Sequence, residues 1–162
     1  AGRAVAHLDV MLEQPCATLE DCAAVRAATG LAMKIDENAH DTASLLRAYE
    51  LGCMDAVALK LSKSGGLSAL RRMRDLCLHL GPRMCIEDTW GSDVTTGALL
   101  HLAAATPAHR LLNTCDLSSY VSPRLDHGAP VRRKGRIAPP QGVGIGVEPD
   151  AETLGQPFAI ID

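Results

Sequence analysis

The sequence predicts an α/β fold assembled from consecutive parallel βα units. Short apolar runs alternate along the chain with longer stretches of helical period, in the order strand, helix, strand, helix. Glycines stand where helical stretches stop, and an ionisable residue stands where each apolar run gives way to a loop.

Residues 1–7 read as the end of a helix entered without a cap or an initiating Met, so the chain is expected to be truncated at its N-terminus. The first strand falls at Val10-Met11-Leu12 and closes on Glu13. A helix over residues 18–29 follows, with Thr18 as its cap, Asp21 three residues on and Gly30 as its stop. The apolar run 31–35 closes on Asp36 and leads to a helix over 41–51 stopped by Gly52. Ala56-Val57-Ala58-Leu59 closes on Lys60, and the helix over 67–80 stops at Gly81. Met84-Cys85-Ile86 leads to Asp88 and a helix over 95–105, and Arg110-Leu111-Leu112 leads to Asp116. After Tyr120 the chain turns to Pro and Gly (Pro123, Gly128, Pro130, Pro139-Pro140, Gly142, Gly144), so residues 120–162 are expected to be a loop-rich tail of one domain spanning 1–162.

Glu13, Asp36, Lys60, Asp88 and Asp116 are separated by 23, 24, 28 and 28 residues, about one βα unit each. In a closed barrel of parallel strands the carboxyl ends converge on one mouth, where the reacting groups sit. Any one of these charges alone would be an ordinary loop residue, but five in phase point into one site. Eight strands usually need about 250 residues, whereas only five strand-like runs are present in these 162 residues.

Composition narrows the partners. Aromatic residues make up 2% of the chain, so the core must be built from Ala, Leu, Val, Ile and Met. The formal net charge is −3, and Arg132-Arg133-Lys134 is an isolated basic run, which argues against nucleic acid. No apolar stretch approaches the ~20 residues needed to cross a bilayer, so no membrane partner is expected. Six cysteines are scattered without a Cys-x-x-Cys pair. They read as small buried hydrophobes in a reducing, cytoplasmic setting rather than as a disulfide or zinc framework. The six histidines fall in helical stretches and loops and suggest no catalytic role.

At Leu12-Glu13-Gln14-Pro15-Cys16 the chain resembles the mandelate racemase/muconate lactonizing branch of the enolase superfamily. Ile35-Asp36-Glu37-Asn38 follows at the expected distance, and Leu59-Lys60-Leu61-Ser62-Lys63-Ser64-Gly65-Gly66 resembles the branch's lysine strand with the glycine pair that opens the next helix. Asp88-Thr89-Trp90-Gly91-Ser92 and Gly142-Val143-Gly144-Ile145-Gly146-Val147 are similar too, so the resemblance runs from residue 10 to about 155. It implies the C-terminal part of a (β/α)7β barrel of the TIM type, with about five βα units present and the capping domain and first strands absent.

The resemblance also implies roles. Glu13 and Asp36 would be the second and third of three carboxylates that hold Mg²⁺, a cation that prefers hard oxygen ligands. Lys60 would be the base that removes the proton next to a substrate carboxylate. A lysine serves that way when its pKa falls toward neutrality, which burial beside a cation brings about. Lys63 reads as a solvated loop charge that could also screen the mouth. The first metal ligand and a second, opposing lysine would lie upstream of this chain. The 162 residues alone are therefore expected to be inactive, and the complete protein to form a homo-oligomer acting on a small-molecule carboxylate.

Racemase-type members carry a His where this chain has Glu87-Asp88-Thr89, so the chain sides with the two-lysine subgroup. The segment Ile86-Glu87-Asp88-Thr89-Trp90 is most similar to members acting on proline derivatives, dehydratases of cis-3-hydroxy-L-proline and epimerases of hydroxyproline betaine. Asp88 would then meet a substrate ammonium, with Thr89 beside it and the Trp90 ring offered to the cation. Asp116 is a further candidate for amine contact, although Cys115-Asp116-Leu117 lacks the paired acids of dipeptide epimerases. The alternatives are a racemase or dipeptide epimerase, a sugar-acid dehydratase, or an inactive fragment of the same superfamily.

Overall fold

Thr18 opens the first helix as the sequence suggests: its hydroxyl accepts the backbone N–H of Asp21, and Gly30 ends the helix at φ 71°, a left-handed value that glycine adopts without a Cβ clash. This helix, α1 (Leu19–Thr29), follows strand β1 (Met11–Glu13). The computed structural model describes residues 2–88 and 92–160. It continues with β2 (Ala32–Ile35), α2 (Thr42–Glu50), β3 (Ala56–Lys60), α3 (Leu61–Ser64) and α4 (Leu67–Leu80). Then come β4 (Arg83–Glu87), α5 (Asp93–Ala104), β5 (Leu111–Thr114) and, far along the tail, α6 (Ala151–Leu154).

The predicted strands and the helices over 18–29, 41–51, 67–80 and 95–105 are all present, shifted by no more than two residues at an end. Two local expectations change. Residues Gly2–Val5 form a 3-10 turn rather than the end of an α-helix, with the Leu8 N–H donating to the Val5 carbonyl at 2.9 Å, three residues back. The four-residue α3 stands where the sequence shows no helical pattern, because one turn is too short to show a 3.6-residue period.

The five strands form one sheet in sequence order, β1-β2-β3-β4-β5, and every neighbouring pair is parallel. Parallel pairing needs a crossover after each strand, and the helices supply it. Alternation then sorts side chains to two faces. Met33, Ile35, Val57, Leu59, Met84 and Ile86 point to one face and are fully buried against Cys22 of α1, Leu45 of α2, Leu70 and Met73 of α4, and Leu99 of α5. Among the described residues the buried core contains no aromatic side chain, as the composition requires. Cys22, Cys53, Cys77 and Cys85 are buried and all six cysteines are free. Burial pushes the Cys77 thiol up to about 12, so it behaves as a small apolar residue.

The tail returns over α5. Asp93, at the start of that helix, is fully buried and accepts hydrogen bonds from Arg124 Nε at 2.8 Å and from the Leu125 N–H at 2.9 Å. Further along, His101 Nε2 lies 3.1 Å from the Ile145 carbonyl. Gly97 leaves room for the closest approach, since a Cβ there would sit 2.8 Å from Val147 Cγ2.

Candidate active site

The face of the sheet opposite the core carries charge. Glu13 ends β1 and stands in register with Lys34 of β2, and its carboxylate meets the Lys34 ammonium at 2.8 Å. Lys34 Nζ lies 3.9 Å from Cys85 Sγ on β4. A cavity of about 280 Å³ on this face is lined by Met11, Glu13, Lys34, Cys85, Leu112 and Asn113.

Asp36 follows β2 directly and is buried. Its Oδ2 accepts a hydrogen bond from Lys60 Nζ at 2.7 Å and its Oδ1 one from Lys63 Nζ at 2.7 Å. Lys63 also donates to the Asp36 carbonyl. Lys63 is therefore not the solvated charge expected: the single turn of α3 swings it back over the end of β2. Both sides of the expected site are thus present, with Lys60 closing β3 and Asp36 closing the neighbouring strand.

Gln14, which no sequence motif marks as functional, organises this corner. Gln14 Oε1 accepts the backbone N–H of Asp36 at 2.9 Å and of Asn38 at 3.0 Å. Its own φ is 27°, a strained value for a side-chain-bearing residue. The strain sits between Glu13 and Pro15, and the two hydrogen bonds hold it in place. Nothing in Leu12-Glu13-Gln14-Pro15 reveals a positive φ.

Electrostatics follow from these contacts. Burial alone would raise the Asp36 carboxyl, but the hydrogen bonds and charges of Lys60 and Lys63 outweigh it and hold the group below the usual carboxylate range. Burial would lower Lys60, yet the Asp36 hydrogen bond and charge, with Glu87 and Glu37 nearby, carry it above the ordinary lysine value. The pKa expected to fall thus rises as the site stands, and Lys60 is an ammonium at neutral pH. Lys34 is raised likewise, burial being outweighed by Glu13 and the sulfur and acid beside it.

Glu87, the residue before the candidate Asp88, is a further acid at this strand end. It ends β4 in register with Lys60 and is half-buried. Burial raises its carboxyl, against the pull of Lys34 and Lys60 and with the repulsion of Asp36 and Glu13. Asp88, one residue on, turns the other way: its carboxylate accepts the Ser62 N–H at 3.0 Å and the Ser62 hydroxyl, tying β4 to the start of α3. Asp116 is buried beside a separate cavity of about 510 Å³ that is also lined by Tyr120, Arg132 and Arg136. Its Oδ1 has no hydrogen-bond partner among the described residues, and Oδ2 lies 3.8 Å from Arg132 Nε. Thr89 and Trp90 lie outside the described residues.

Glu13 and Asp36 fit Mg²⁺ in kind: hard anionic oxygens at the ends of adjacent strands, on the polar face of the sheet. They fit as part of a ligand set, since no group of three or more His, Cys, Asp or Glu close enough to hold an ion occurs among the described residues.

A parallel sheet whose strand ends gather acids and lysines is the arrangement of a (β/α)-barrel enzyme, and the comparisons with known proteins agree. The enolase C-terminal domain-like family matches residues 1–153, and the chain belongs to this family. Over 156 residues it is 41% identical to cis-3-hydroxy-L-proline dehydratase of Roseibium aggregatum, covering 96% of this chain and 42% of that protein. It is 32% identical over 108 residues to an o-succinylbenzoate synthase of Mycolicibacterium smegmatis, covering 67% of this chain and 32% of that protein. Among solved structures, a mandelate racemase/muconate lactonizing enzyme from Roseovarius nubinhibens ISM superposes with a TM-score of 0.91 at 36% identity, over 98% of this chain and 43% of that one. An enolase superfamily member from the same organism, solved in complex with magnesium, gives a TM-score of 0.89 at 35% identity over 93% of this chain and 41% of that one. The chain thus spans less than half the length of the relatives it matches, and its α/β sheet is the C-terminal barrel part of the mandelate racemase/muconate lactonizing enzymes.

Proposed function

We propose that the protein containing this chain is a Mg²⁺-dependent lyase that removes the proton next to the carboxylate of a proline derivative and expels a hydroxyl, as a cis-3-hydroxy-L-proline dehydratase does. The observation that carries the reading is the pair of Lys60 Nζ and Asp36 Oδ2, 2.7 Å apart at adjacent strand ends. The 41% identity to a dehydratase of that substrate supports it.

Glu13 and Asp36 would hold the metal, which when bound supplies positive charge against the substrate carboxylate and takes up the charge of Asp36. Lys60 is the group that takes or returns the α-proton at its face of the substrate carbon. With Asp36 engaged elsewhere, Lys60 loses the partner that raises its pKa, and its half-buried position then favours the neutral amine. On this reading the acidic end of β4, where the resemblance puts Asp88, Thr89 and Trp90, would meet the ring nitrogen, and Asp116, beside its own cavity, would be a further amine contact. Residues 1–162 by themselves offer two carboxylates for the metal and are expected not to turn over substrate.

The test is proton exchange. At the full length of its curated relatives, and with Mg²⁺, the protein should exchange the α-proton of cis-3-hydroxy-L-proline with D₂O and then release a pyrroline product. Lys60→Ala should abolish exchange from its face. Turnover of sugar acids with none of the amino acids would refute the substrate class, and unchanged exchange in Lys60→Ala would refute the mechanism.

A further inference from the structure

We propose that Asp88 is a positioning residue for Lys60: from the end of β4 its carboxylate caps the turn that follows the lysine, and it serves the reaction through that turn and not by touching substrate. This rests on the proposed role of Lys60 in moving the α-proton, and it gives Asp88 a task other than the ammonium contact that the resemblance implies.

The turn needs a cap from elsewhere. α3 is four residues long, Lys60 stands at its N-cap position without a capping side-chain bond, and Gly65 and Gly66 follow at φ 81° and 119°. A single turn is unstable alone, and its first N–H groups have no partner within the helix. Two successive glycines add no stiffness to its exit. Asp88 supplies the acceptor: Oδ2 takes the Ser62 N–H at 3.0 Å and Oδ1 takes the Ser62 hydroxyl. Asp88 is buried, so water competes little for these charge-assisted bonds.

The bonds fall where they act on Lys60. The β3–β4 ladder runs up to the pair Lys60 and Glu87, and Asp88 joins the same two segments again at Ser62, two residues past the lysine. Lys60 is thereby held from both sides. A proton-transferring group needs such a hold, because it must meet its proton at hydrogen-bond distance and a displacement of about 1 Å costs on the order of a hundredfold in rate.

The same arrangement stands at the neighbouring strand end. Gln14, one residue past β1, accepts the N–H of Asp36 and of Asn38, two residues beyond Asp36. Asp88 is likewise one residue past β4 and holds the N–H two residues beyond Lys60. In both, an acceptor from the adjacent strand pins the loop that carries a functional side chain.

The test uses the full-length protein with Mg²⁺ and reads two quantities. In α-proton exchange of cis-3-hydroxy-L-proline, Asp88→Ala should lower kcat roughly tenfold to a hundredfold and leave KM within about twofold. Asp88→Asn loses the charge but keeps an oxygen for the Ser62 N–H, and it should recover most of kcat. In amide hydrogen exchange, residues 61–64 should exchange roughly tenfold faster in Asp88→Ala than in wild type, with β3 and β4 still protected. Should Asp88→Ala fold poorly, Ser62→Ala, which loses the hydroxyl bond alone, must lower kcat at unchanged KM. The proposal is overturned if Asp88→Asn is as impaired as Asp88→Ala, if KM rises while kcat holds, or if residues 61–64 stay equally protected. A wild type that exchanges no α-proton refutes the dehydratase reading instead, and the protection of residues 61–64 then decides on Asp88 by itself.

Discussion

Lys60 and Asp36 form a 2.7 Å ion pair across the ends of β3 and β2, and the second oxygen of the same carboxylate is held by Lys63. One buried acid thus serves two lysines from two consecutive elements, and everything expected of the site passes through it. Replacing it is the most direct test of metal binding. Asp36→Ala in the full-length protein should weaken Mg²⁺ at least about tenfold, since a hard cation held by few carboxylates loses one of them. Isothermal calorimetry measures this, and an unchanged affinity would remove Asp36 from the ligand set.

The sheet and the strand-end positions of Glu13, Asp36 and Lys60 were legible because period and spacing are properties of the chain itself. Three things were not. The side chain of Gln14 works across 22 residues of sequence to hold Asp36, and no local pattern announces such a bond. Lys63 reached Asp36 only because Leu61–Ser64 closes into a turn too short to carry a period. Glu87 and Asp88 are adjacent acids, and which of them faces Lys60 depends on register, known only once β3 and β4 are paired. Strand alternation applied to Met84-Cys85-Ile86-Glu87 was the available signal, and it favours Glu87 once Lys60 is placed.

Asp93 predicts an acid-sensitive tail. Burial would raise its carboxyl, but Arg124 and the N–H groups of Leu125 and Asp126 hold it below its ordinary value. A group whose pKa is lowered on folding adds stability above its unfolded pKa, about 3.9. That contribution is lost as the pH falls through the lower, folded value. Asp93→Asn lacks it at every pH. The stability gap between wild type and Asp93→Asn should therefore be widest above about pH 5 and close in more acid solution. Urea unfolding across a pH series reads the gap, and one that widens toward acid would contradict the sign.

Gly97 sets two effects against each other. Alanine is favoured over glycine inside a helix by about 1 kcal/mol, which would stabilise α5. Its Cβ would lie 2.8 Å from Val147 Cγ2 and 3.4 Å from Pro140 Cγ, and neither a valine methyl nor a proline ring yields easily. Overpacking of this kind costs about 1–3 kcal/mol, so Gly97→Ala should destabilise on balance and loosen the tail from α5. Faster amide exchange in residues 142–147 with α5 still protected is the expected result. A variant more stable than wild type would show that the tail shifts at no cost.

Lys63→Met isolates the role of the second ammonium on Asp36. Lys63 donates to Oδ1 while Lys60 keeps Oδ2, so removing Lys63 leaves the Lys60 contact intact and takes one positive charge from beside the carboxylate. Two outcomes should separate. Without metal the fold loses one of the forces that lower the Asp36 pKa, and the melting temperature falls modestly, because Lys63 is partly exposed and such pairs contribute about 1 kcal/mol or less. With metal, the charge that competed for the carboxylate is gone, and a unit charge a few ångströms away in a partly screened site is worth about 1–4 kcal/mol before relaxation. Mg²⁺ should therefore bind several-fold more tightly to Lys63→Met than to wild type, and the melting temperature should rise further on adding the metal. Calorimetry and thermal melts on the same preparation read both. Equal or weaker Mg²⁺ binding in the variant would show that Lys63 supports the metal-bound site instead of competing for it.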